Sequence, residues 1–119
     1  MQSNICAKVT PLLREKQYNI SAEEIFAFLN KYKKGQIIYP GVLYRKFNID
    51  IKTVYAILKV CKCAGLVVER LEIYCPFCQR FTGYIYKNVG ELPEVIGCPH
   101  CDEEISNVLC NALVIYEVL

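Results

Sequence analysis

At 119 residues, with 54% hydrophobic and 22% charged side chains, the chain has the composition of a folded protein and can build one ordinary core, or two small units if one is held by a metal. No apolar run reaches the roughly 20 residues that a bilayer-spanning helix needs, and MQSNICAKVT lacks the basic start and long apolar stretch of a secretory leader. The sequence therefore reads as cytoplasmic, with no membrane partner. Its net charge of +2 hides an asymmetry: residues 1–70 carry 12 Lys/Arg and 5 Asp/Glu, net +7, whereas residues 71–119 carry 2 and 7, net −5. A basic half beside an acidic half suits a first half that faces a polyanion.

In chain order, Thr10 and Pro11 are placed as cap and first residue of a short helix from Pro11 to about Tyr18. Ser21 followed by Glu24 is a capping-box signature for a second helix running to about Lys34, with Ile25, Phe28, Leu29 and Tyr32 as its apolar stripe and Gly35 as its stop. Gln36 to Tyr39 reads as a short strand. PGVLYRKF, opened by Pro40 and ended by Asn48, reads as a third helix with Val42, Leu43 and Phe47 available to the core. Asp50 then caps a fourth helix from Ile51 to Ala64, inward positions Val54, Leu58 and Cys61, stopped by Gly65. LVVERLEIY follows as a strand rich in branched residues.

A short helix, a turn, a longer helix and then AGLV entering a strand is the order of a winged helix-turn-helix. The resemblance lies in TVYAILKVCKCAGLV, Thr53 to Val67. It implies that residues 1–70 form such a domain. Its second helix would enter the major groove of double-stranded DNA with Lys52, Tyr55 and Lys59 outward, while Arg45, Lys46, Lys62 and Arg70 hold phosphates. Tyr39 and Tyr44 could add hydroxyl contacts, although aromatics at such spacings are more often core. The same outer face also carries Ala56, Val60 and Cys63 and lacks Arg, Asn and Gln, the side chains that most often read bases. An apolar stripe flanked by lysines is equally the pattern of a protein interface.

Eight cysteines could signify a disulfide scaffold, but four of them form CPFC at 75–78 and CPHC at 98–101, with 19 residues between the pairs. Cys75, Cys78, Cys98 and Cys101 supply four soft ligands, the set that tetrahedral zinc prefers, and leave no open coordination position. The expected cofactor is one structural zinc ion; a single iron would satisfy the spacing as well. His100 sits inside its turn as a bystander. Two knuckles joined by an expected hairpin, strands at Arg80 to Tyr86 and Glu94 to Ile96, resemble a zinc ribbon, so residues 71–119 read as a ribbon and a closing strand. Many ribbons have Gly after each knuckle, where Gln79 and Asp102 stand here. Cys6, Cys61, Cys63 and Cys110 read as core or half-exposed thiols. NALVIYEVL should pair beside Leu66 to Tyr74, so that the ribbon grows from the wing.

The fold class expected is therefore α+β, a winged helix-turn-helix with a C-terminal zinc-ribbon hairpin. In outline this is similar to the larger subunit of general transcription factor E, which implies a bridging role near RNA polymerase and promoter DNA. No Gly-rich phosphate loop or Ser/His/Asp set is visible, so neither an enzyme nor a small-molecule substrate is expected. Duplex DNA or a protein partner is.

Overall fold

The computed structural model describes residues 2–15 and 18–119. It is a mixed α and β structure with, among the described residues, four helices and an antiparallel sheet. The chain divides into two compact units, residues 1–68 with 116–119, and residues 69–115.

In the first unit, α1 spans Gln2–Glu15 and α2 spans Ala22–Leu29. The expected helix from Pro11 to Tyr18 is thus displaced toward the N-terminus; residues 16 and 17, within the expected span, lie outside the described residues. Thr10 is not its cap. The Thr10 hydroxyl donates to the Cys6 carbonyl one turn back (2.7 Å), and Pro11 lies within the helix, where it cannot donate to the carbonyl four residues earlier. What holds this helix is a stripe that spacing alone could have shown: Cys6, Val9 and Leu13, three and four residues apart, are all buried.

Ser21 caps α2 as expected, accepting from the Glu24 amide (3.3 Å). The helix stops at Leu29 rather than near Lys34, because Lys31 and Tyr32 donate to carbonyls only three residues back, which tightens the last turn. Gly35 follows in a left-handed conformation (φ 86°). β1, Ile37–Ile38, leads into α3, Pro40–Phe47, which begins at its proline and ends at Asn48 (φ 54°). α4 spans Ile51–Cys63, capped by Asp50, and Gly65 (φ 78°) turns the chain after it. α1 packs against α2 and α4, and α3 against α4. Ile25, Leu43, Val54, Ile57 and Leu58 are fully buried here, each contributing about 1.5–3 kcal/mol.

β2, Val67–Cys75, and β6, Ala112–Val118, run through both units; β3, Arg80–Tyr86, completes a sheet in the order β1-β6-β2-β3. β6 therefore lies beside β2, as expected, and also pairs with β1, Ile38 opposite Tyr116. The expected hairpin between 80–86 and 94–96 does not form. β3 pairs instead with β2, and β4, Ile96–Gly97, pairs with β5, Glu104–Ile105. Each pairing is local, closed across a connection that begins with a Cys-x-x-Cys pair. Between β2 and β3 the register shifts after Glu72. There Gly83 (φ 88°) donates its amide to the buried Glu72 carboxylate (3.1 Å), and the Thr82 hydroxyl donates to the Ile73 carbonyl (2.7 Å). Those bonds satisfy polar groups that the bulge would otherwise leave unpaired.

A four-cysteine candidate metal centre and the lysine face of α4

The turns between β2 and β3 and between β4 and β5 are built alike. Each begins at a buried cysteine, Cys75 or Cys98, and places a second, half-buried cysteine three residues on. The residue after that second cysteine is left-handed in both, Gln79 at φ 58° and Asp102 at φ 61°. Its amide returns to the first cysteine's carbonyl, Gln79 to Cys75 (2.9 Å) and Asp102 to Cys98 (3.0 Å). Both positions take the conformation that glycine adopts most easily although neither is Gly, at some steric cost for Gln79 and less for Asp102.

The two turns bring four sulfurs together: all four Sγ atoms lie within 4.8 Å of one another, Cys75 to Cys101 and Cys78 to Cys98 at 3.7 Å. A disulfide would require sulfurs near 2.05 Å apart, so these are not cystines. Four thiolates around one ion at about 2.3 Å put neighbouring sulfurs about 3.8 Å apart. The donor set therefore fits a single metal ion in a closed tetrahedral cage. Ile73, Ile105 and Val108 are buried around Cys75 and Cys98, with Leu92 and Ile96 packed against them, so water is kept from the sulfurs on that side.

Backbone donors favour charge on one of these sulfurs. Burial works against ionisation of Cys98, but the amides of His100 and Cys101 together with hydrogen bonds from the Cys75 and Cys101 thiols outweigh it and hold the thiol down at about 6; the His100 amide lies 3.4 Å from the sulfur. Desolvation and hydrogen bonds with the other three sulfurs push Cys78 up to about 12. The Cys98 and Cys78 protons thus leave at very different cost, and a divalent cation bound by the sulfurs favours the loss of both. The His100 ring stands outside the sulfur cluster, with Nε2 3.2 Å from the Phe81 carbonyl.

The residues singled out for nucleic-acid contact divide differently. Lys52, Lys59 and Lys62 are exposed on α4, and Arg45 and Lys46 on α3. Lys46 lies over the rings of Phe28 (5.0 Å) and Phe47 (5.9 Å), a cation–π placement that leaves its charge at the surface. Tyr55 does not point freely outward: it is half-buried, its ring 6.3 Å from that of Tyr116. Tyr44 is exposed and Tyr39 half-buried, so neither is core. Arg70 belongs to the second unit, where its guanidinium donates to the Glu69 carbonyl (3.1 Å). Of the remaining cysteines, Cys6 and Cys61 are buried and Cys63 and Cys110 exposed.

The start of α4 is held by a feature that no motif announced. The Tyr18 hydroxyl donates to Asp50 Oδ1 (2.6 Å) and accepts from the Asp50 amide (2.7 Å), while Thr53 donates to the same carboxylate through its hydroxyl and amide. Nothing in the local pattern around Tyr18 signals a partner 32 residues away.

No family model, curated protein or solved structure matches the chain. Among the described residues no helix is long and apolar enough to cross a membrane.

Proposed function

We propose that the chain is a non-enzymatic winged helix-turn-helix module, stabilised by one zinc ion on Cys75, Cys78, Cys98 and Cys101, that binds double-stranded DNA or a DNA-containing assembly through α4. The observation that carries the reading is the solvent face of α4. Lys52 and Lys59, two helical turns apart on the second helix of a helix–turn–helix pair, are both exposed, with Lys62 beside them. Support also comes from the strand order: β1, between the second and third helices, pairs with β6, which lies against β2, a winged-helix order in which the ribbon residues are inserted between the two wing strands. Binding would rest on phosphate contacts, because α4 offers no Arg, Asn or Gln to base edges.

Fluorescence anisotropy with a labelled duplex tests this. We expect a dissociation constant of about 10⁻⁴ to 10⁻⁶ M that weakens steeply with salt, and a salt slope smaller by about 2 in the Lys52→Glu/Lys59→Glu variant. No binding at low salt, or unchanged binding by that variant, overturns it. A second reading has its own observation: Ala56 and Val60 are half-buried and Cys63 exposed on the same face, an apolar strip suited to a protein partner.

A further inference from the structure

From Asn88 onward the chain has no Lys or Arg, and six acidic residues. Within this stretch a groove of about 370 Å³ opens between the segments around Val89–Pro93 and Ser106–Cys110. Leu92, Pro93 and Val108 form its apolar walls; Val89 and Leu109 stand at its lips, 57% and 60% exposed. Glu94 lines it, and Glu91 lies exposed on the 3-10 turn that bears Val89. Two large apolar side chains held more than half in water, beside Glu91 and Glu94 and with no cation among the residues that line the groove, describe a surface suited to a cationic, partly apolar segment; exposed Lys87, whose amide donates to the Glu91 carboxylate (3.1 Å), precedes the groove and is not in its lining.

The chain itself carries such a segment. On α4, Lys52, Ala56, Lys59 and Cys63 recur at spacings of four, three and four, so they share the side of the helix opposite to buried Val54, Leu58 and Cys61. Both faces remain exposed: the groove lips as above, and Lys52, Lys59 and Cys63 on α4. The signs of the two units match this pairing. Residues 1–68 with 116–119 carry 11 Lys/Arg and 5 Asp/Glu, whereas residues 69–115 carry 3 and 7.

We infer that the acidic groove at Val89–Pro93 and Ser106–Cys110 docks the lysine face of α4 from a second copy of this chain. The contact is heterologous, joining a different patch on each copy. It uses charge for orientation and encounter, and the exposed Val89 and Leu109 for the buried part of the contact. It does not rest on the DNA reading, although duplex DNA would compete with it for the same lysines.

Sedimentation equilibrium of the metal-loaded chain over a concentration series, without DNA, tests this. At about 50 mM salt the weight-average mass should climb above the 13.7 kDa of one chain, and at about 500 mM it should return to that value. Glu91→Lys/Glu94→Lys and Lys52→Glu/Lys59→Glu should each associate at least about tenfold more weakly, and an equimolar mixture of the two should associate again. Val89→Ser/Leu109→Ser keeps every charge and should also associate at least about tenfold more weakly; an unchanged circular-dichroism spectrum and melting temperature verify that the helical unit is folded in each variant, and unchanged metal content that the second unit is. A single-chain mass at every concentration in low salt overturns the proposal. So does a mixture of the two charge variants that stays monomeric, or association undiminished in Val89→Ser/Leu109→Ser, which would indicate charge attraction without the groove. Capture of a different cationic protein in preference to the second copy would reassign the groove and overturn it too.

Discussion

Gln79 and Asp102 hold nearly the same left-handed backbone, φ 58° and 61°, each one residue past the second cysteine of its pair. The two turns are therefore one design used twice, and neither residue has the glycine that makes such a backbone cheap. Replacing Gln79 by Gly should raise the stability of the metal-loaded protein by about 0.5–1 kcal/mol, and replacing Asp102 by Gly by less, because Asp tolerates this conformation better. Thermal unfolding of the two variants checks the order; a loss at Gln79→Gly would mean that its side chain does more than cost strain.

The cage should be essential to the second unit. With Ile73, Ile105 and Val108 as its small buried cluster around the cysteines, this unit has little else to order its turns. Cys78→Ser or Cys101→Ser should abolish stoichiometric metal and lower the melting temperature by more than about 10 °C, as should a strong chelator, given the roughly 10 kcal/mol that structural zinc supplies. Elemental analysis and thermal melts measure both quantities.

Tyr18 and Asp50 should be coupled. The tyrosine hydroxyl both donates to the carboxylate and accepts from its amide, and that carboxylate caps α4. Tyr18→Phe should cost about 1–2 kcal/mol and Asp50→Ala a similar amount. The double variant should cost less than the two single costs together, since each change breaks a bond the other also breaks. Denaturant unfolding of the four proteins gives the coupling energy.

Cys61 sets an alkaline limit. Burial pushes its thiol from 9.0 up to about 11, so the unfolded chain loses this proton first. Its contribution to stability is complete below about pH 9 and disappears as pH rises through about 11, by about 2–3 kcal/mol. Cys61→Ala should be less stable at neutral pH but should show a shallower decline across that window, measured by urea unfolding in a pH series.

Where the sequence was informative, the signal was chemical and local. CPFC and CPHC bring their sulfurs together, and Pro40, Asn48, Asp50 and Gly65 bound α3 and α4, because a cap or a left-handed turn is decided by one residue's side chain. The first helix was misplaced because Thr10 and Pro11 imitate a helix start, while burial of Cys6, Val9 and Leu13 extends the helix to Gln2 across them. The strand pairing of β3 was misassigned for a related reason. Sequence spacing permits Arg80–Tyr86 to turn back on either neighbour, and the short knuckle decides for β2. The groove beside Val89 and Leu109 was invisible, since it is made by two 3-10 turns with no shared motif.

β6 lies between β1 and β2, yet a ribosome makes it after both and after all of the ribbon residues. The four-stranded sheet, which draws on both units, must wait for this strand. A truncation of only the β6 residues would therefore leave β1 and β2 without the strand that joins them.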